Sequence, residues 1–108
     1  MPRITRTEEQ IVIKVIMATL LAGHRITVCD QEAVLVTNSV DSAQIMAAVA
    51  DTDECGFDII RHDGYSIGVI YFVFGNKGRQ NVITDYTTTV EDLLTSAGVP
   101  ATQFTEAK

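Results

Sequence analysis

Basic residues are scarce in this chain. Eight Lys and Arg stand against fourteen Asp and Glu, a net charge of −6 over 108 residues. Unspecific binding to nucleic acid or to an anionic membrane needs clustered cations, so neither partner is expected. Positions 26–60 hold no Lys or Arg at all, while Asp30, Glu32, Asp41, Asp51, Asp53, Glu54 and Asp58 fall among them. Cysteine is nearly absent as well: Cys29 and Cys55, taken with His24 and His62, show no C-x-x-C and no H-x-x-x-H spacing. That leaves no zinc signature and no disulfide framework; reduced thiols, no metal and no cofactor are expected. Long apolar runs are missing too. Residues 11–22 follow Arg3 and Arg6 in the manner of a targeting signal, but Glu8, Glu9 and Lys14 break the pattern and a helix start explains them better. Nothing reaches the ~18 apolar residues of a membrane span. A cytoplasmic protein is expected, with a single domain over 1–108 and a flexible tail at 102–108.

What is present is an ordinary supply of core-forming residues, 46% of the chain, arranged in periods that name their elements. Thr7 stands three before Gln10, the pattern of a helix-capping box, and Val12, Val15, Ile16 and Leu20 recur at helical spacing up to a stop at Gly23 and His24. Met17 and Leu21 fall on the other side of that helix, with Gln10 and Lys14. A helix with one buried face puts polar residues there, so a second element or a partner should cover it. Residues 25–29 and 33–37 read as strands joined by a turn at Asp30-Gln31-Glu32. Asp41 caps a second helix carrying Ile45, Met46 and Val49 and ending near Ala50.

Residues 57–62 read as the next strand, and Asp63-Gly64 as a hairpin turn. The strand that follows, 66–74, is apolar on both flanks: Ile67, Val69, Tyr71 and Val73 on one, Gly68, Ile70, Phe72 and Phe74 on the other. Such a strand belongs in the interior of a sheet, covered from two sides. A short strand at 79–83 and a helix capped by Thr88 and Glu91, with Val90, Leu93, Leu94 and Ala97 as its stripe and Gly98-Val99-Pro100 as its end, complete the pattern. The expected fold is α+β: a two-layer domain in the order α-β-β-α-β-β-β-α, with a mainly antiparallel sheet of about five strands and three helices on one face.

Few residues invite a chemical reading. Gly75-Asn76-Lys77-Gly78 lacks the second-glycine-then-lysine order, the following Ser or Thr and the helix of a phosphate-binding loop. It reads as a hairpin connection between Val73 and Val82. Tyr71, Phe72 and Phe74 lack the basic lead of a nucleobase-stacking sheet, and neighbouring aromatics point to opposite flanks. Asp85 and Tyr86, just before the last helix, have two readings. They can brace the strand–helix junction, or they can join Lys77 in a ligand pocket. Asp51, Asp53 and Glu54 follow the end of the second helix, where the dipole disfavours carboxylates. With Asp58 they form either a solvated loop or an acidic surface for a basic partner.

The stretch 63–94, with Asp63-Gly64, Phe72-Val73-Phe74-Gly75-Asn76, Gly78 and Ile83-Thr84-Asp85-Tyr86-Thr87, resembles the C-terminal part of short proteins of unassigned function carried by phages and mobile elements. That resemblance covers about a third of the chain and implies an accessory role without a known reaction or site. The expected function is therefore non-catalytic: a small protein-binding or regulatory accessory protein, homodimeric, with Met17, Leu21, Ile70, Phe72 and Phe74 as oligomer contacts. Asp51, Asp53, Glu54 and Asp58 are the contacts expected for a basic host protein. The alternative is a ligand binder or enzyme built on Lys77, Asp85 and Tyr86.

Overall fold

The computed structural model describes residues 6–30, 33–50, 52, 54–74 and 82–99, and only the backbone of Thr7, Thr84, Asp85 and Thr88. It is an α+β fold in which three helices pack against an antiparallel sheet. The elements run α1 (Arg6–Leu21), β1 (Arg25–Cys29), β2 (Val34–Ser39), α2 (Ser42–Ala50), β3 (Glu54–Ile60), β4 (Ser66–Val73), β5 (Ile83–Tyr86), a 3-10 turn (Thr88–Val90) and α3 (Glu91–Ser96). The strands lie in the order β2-β1-β3-β4-β5.

Each helix end has a cause in the sequence. Gly23 at φ +87° lets the His24 amide donate to the Thr19 carbonyl and its own amide to that of Leu20, closing α1. Gly98 at φ +79° does the same for α3, with the Val99 amide on the Leu94 carbonyl and the Gly98 amide on that of Thr95. The Asp41 carboxylate accepts from the Ala43 and Gln44 amides at 3.0 and 3.3 Å and so caps α2. Two expected caps are absent. Arg6 is already helical, so Thr7 lies within α1 and not at its N-cap. The last helix enters through the 3-10 turn, and Val90 occupies its N-cap without a side-chain bond.

The register fixes which flank of the sheet is inside. Ile26 pairs Ile59, Val28 pairs Phe57, Phe57 pairs Ile70 and Cys55 pairs Phe72. These residues share one flank. They meet Ile11, Val12, Val15 and Ile16 of α1, Ile45 and Val49 of α2, and Val90 and Leu94 in a single buried cluster. Phe57 stacks edge-on to Phe72 at 4.8 Å, and Phe72 lies parallel to Phe74 at 6.0 Å. Ile70 and Phe72 are wholly buried and Phe74 is 4% exposed. The expectation that these three serve an oligomer interface is corrected: the helices of their own chain already cover them. The flank left open is the other one. There the row Thr27–Asp58–Val69 is half-buried, and Tyr71 is 47% exposed.

Strand boundaries move with the same logic. β3 begins at Glu54, earlier than expected, because Cys55 can enter the core opposite Phe72. β5 lies at Ile83–Tyr86, later than the expected 79–83, because Ile83 is the residue that fills the core beside Phe72. Residues 75–81 lie outside the described residues; the Val73 amide donates to the Val82 carbonyl at 2.9 Å, so that segment joins two antiparallel neighbours. The edge strand β2 carries two register shifts, with Asn38 at φ +49° and its amide on the Thr27 hydroxyl. Such bulges blunt an edge against further pairing.

Candidate functional site

Among the described residues two apolar surfaces stay uncovered, one on the helical layer and one on the sheet. The first belongs to the helical layer. α1 buries Ile11, Val12, Val15, Ile16 and Thr19, which leaves Ile13, Met17 and Leu21 on its outer side at intervals of four residues. They are 40%, 44% and 83% exposed. Between α1 and α2 runs an open groove of about 180 Å³, lined by Ile13, Ile16, Met17, Ser42, Ala43 and Met46. The Asp41 cap and the Ser39 hydroxyl, which donates to the Gln44 side chain at 2.8 Å, fix the start of α2 and hence that wall. α2 has no ionisable side chain, and the charged residues of α1 are Arg6, Glu8, Glu9 and Lys14. The expectation for Met17 and Leu21 thus falls on exposed residues of one ridge. Ile13, Ala43 and Met46 were missed, although Ile13 stands one helical step before Met17.

The second surface is the open flank of the sheet. Cys29, Gly56, Tyr71 and Asp85 stand opposite one another in one row across four strands. The Tyr71 ring lies over Gly56: a Cβ there would come within 2.9 Å of its Cε1. Of the expected acidic set, Asp51 and Asp53 lie outside the described residues. Glu54 and Asp58 stand four apart on β3 and so share this flank. Asp58 is not a free carboxylate, since the Ser66 hydroxyl donates to it at 2.5 Å.

The residues of the ligand-pocket alternative do not form a described cavity. Lys77 lies outside the described residues. Positions 85 and 86 register with Tyr71 and Ile70, which belong to opposite flanks of the sheet. The Tyr86 hydroxyl donates to Glu91 of α3 at 3.3 Å, and its ring packs against the core. Partial desolvation first, then the Glu91 charge, hold the phenol above its ordinary value. This is the bracing role at the strand–helix junction. Beside it, the Thr87 hydroxyl accepts from the Val69 amide at 3.1 Å and the Thr89 hydroxyl donates to the Ile67 carbonyl.

The thiols are quiet. Burial lifts Cys55 to about 12, and burial followed by Asp58 and Asp30 lifts Cys29. Among the described residues no group of three or more His, Cys, Asp or Glu converges. No helix among them is long and apolar enough to cross a membrane. The hairpin at Asp63-Gly64 is made by the Gly64 amide on the Arg61 carbonyl at 2.9 Å. At its tip Arg61 pairs with Asp63 and stands 5.8 Å above the Tyr65 ring. That pairing gives the Asp63 carboxyl a depressed value, with the Arg61 hydrogen bond as its main cause. Nothing in the sequence marked this contact. No protein-family model matches the chain, no curated protein matches it, and no solved structure matches it.

Proposed function

We propose that this chain is a small non-catalytic protein-binding module that docks through the outer face of its helical layer. The observation that carries the reading is the Ile13–Met17–Leu21 ridge beside the α1/α2 groove. A solvent-facing helix side normally carries polar residues, and contiguous exposed apolar surface on a small domain marks a contact site. Methionine at two of the groove positions, Met17 and Met46, suits an adaptable docking surface. The side chains that could have suggested chemistry instead hold structure: Tyr86 braces α3, Asp41 caps α2 and Asp58 bonds Ser66.

The test is site-specific photo-crosslinking in the native host. A benzophenone side chain at position 17 is expected to give a discrete higher-mass adduct, and one at position 65 none. Absence of an adduct from position 17 at normal expression would overturn the reading.

A further inference from the structure

Asp-Gly is a chemically unstable pair. The Gly nitrogen, with no side chain beside it, can attack the carboxyl carbon of the Asp side chain. A C–N bond forms, one carboxyl oxygen leaves as water with the amide proton and the acid proton, and a five-membered succinimide results. Solvent water then opens the ring at either carbonyl. One opening restores aspartate; the other gives isoaspartate, in which the main chain runs through the side chain. The missing Cβ that suits Gly64 to its φ of +96° also opens its nitrogen to this attack. Residues 61–66, at the tip of the β3–β4 hairpin, are all exposed, so solvent reaches the pair.

We infer that Arg61 guards this turn: it holds both reacting groups of Asp63-Gly64 and so suppresses conversion of residue 63 to isoaspartate. Its carbonyl accepts from the Gly64 amide at 2.9 Å, and a nitrogen whose proton is engaged is a poorer nucleophile. Its guanidinium takes the carboxylate with two donors. Nε donates to Oδ1 at 3.2 Å and Nη2 donates to Oδ2, a two-point grip that fixes the orientation of a carboxylate. The Tyr65 amide adds a bond to Oδ1 at 3.3 Å. Ring closure has to turn the carboxyl carbon onto the Gly64 nitrogen, which breaks that grip. The reactive form is also the neutral acid, since an ionised carboxylate is a poor target for an amide. The Arg61 hydrogen bond is the main reason that the Asp63 carboxyl titrates below its ordinary range, with the Tyr65 amide and the His62 charge acting the same way. The guanidinium is itself steadied 5.8 Å above the Tyr65 ring, and the Arg61 amide donates to the Tyr65 carbonyl at 2.8 Å. None of this depends on what docks on the helical face.

Ageing of the folded full chain at neutral pH tests the guard. Isoaspartate is read by enzymatic methylation of its free carboxyl and located to position 63 by electron-transfer mass spectrometry. In dilute buffer Arg61→Gln should form isoaspartate there about two- to fivefold faster than the wild type, the change expected where an exposed ion pair sets the neutral fraction of a carboxyl. Arg61→Lys keeps the charge and loses the two-point grip, so its rate should fall between the two. Molar salt screens the pair and should bring the wild type towards the glutamine variant. Far-UV circular dichroism checks that each variant is folded, and in urea, where the turn is gone, the three chains should age alike. Equal rates for the wild type and Arg61→Gln in dilute buffer overturn the inference. So does a difference that persists in urea, because it then belongs to the local sequence, or one that salt leaves unchanged, because it then reflects a loosened turn and not the ion pair.

Discussion

The two flanks of β4 are nearly alike in sequence and have opposite surroundings. Ile70, Phe72 and Phe74 are 4% exposed or less, under three helices; Tyr71 is 47% exposed and Val69 is half-buried on a flank those helices do not cover. The helices decide the matter, because their apolar stripes can cover only one side of a single sheet. The lesson extends to α1. Its inner stripe is consumed by the sheet and by α2, and its outer stripe meets no other element among the described residues. An apolar residue in this molecule is informative only when the structure shows which layer reaches it.

The sharpest way to break the comparison is truncation. Phe72→Ala should cost about 3–5 kcal/mol in urea unfolding, and Tyr71→Ala less than about 1 kcal/mol. Equal losses would mean that both flanks are core. Adding a methyl group is the next test. At Gly68 a Cβ would sit 2.7 Å from Val90 Cγ1 and 2.8 Å from the Thr89 hydroxyl, both fixed by the packed 3-10 turn. Gly68→Ala should therefore cost about 1–3 kcal/mol. At Gly56 the obstacle is the Tyr71 ring, which can swing into solvent, so Gly56→Ala should cost less than about 1 kcal/mol.

The thiols sharpen the same contrast. Cys55, on the covered flank, has its folded value raised to about 12 from an ordinary 9.0. Its neutral form is favoured in the fold, so its contribution is complete below pH 9.0 and is lost as pH rises towards 12. Stability should fall as pH rises across that window, and Cys55→Ala should flatten the slope to the part that Cys29 and Tyr86, both also raised, contribute. Cys29, on the open flank, should react with a thiol reagent in the native state, while Cys55 waits for opening of the sheet. The smallest effect is expected at Asp58, where Asn in place of Asp keeps an acceptor for Ser66 and should change stability by less than about 0.5 kcal/mol.

Element types were readable because period and punctuation agree. The α1 stripe, the Asp63-Gly64 turn and the Gly23 and Gly98 stops each rest on a local rule, and each stands in the structure. Boundaries were less readable where tertiary contacts set them. Cys55 and Ile83 extend or shift their strands because each completes the core around Phe72, a reason that no neighbour in sequence announces. Which flank of β4 is covered was not legible at all: alternation gives two flanks and cannot say which the helices choose, so Ile70, Phe72 and Phe74 were assigned to the wrong surface. Of the candidate docking face, Met17 and Leu21 could be seen as misplaced apolar residues. The groove wall from α2 could not, since it exists only once two helices meet.

The measurement that tests the central claim most directly is photo-crosslinking in the native host with a benzophenone side chain carried in turn at positions 13, 17, 21 and 69. If the outer helical face is the contact surface, positions 13, 17 and 21 give a shared higher-mass adduct and position 69, on the open sheet flank, gives none. An adduct from position 69 alone, or none from any of the three helical positions, would contradict it.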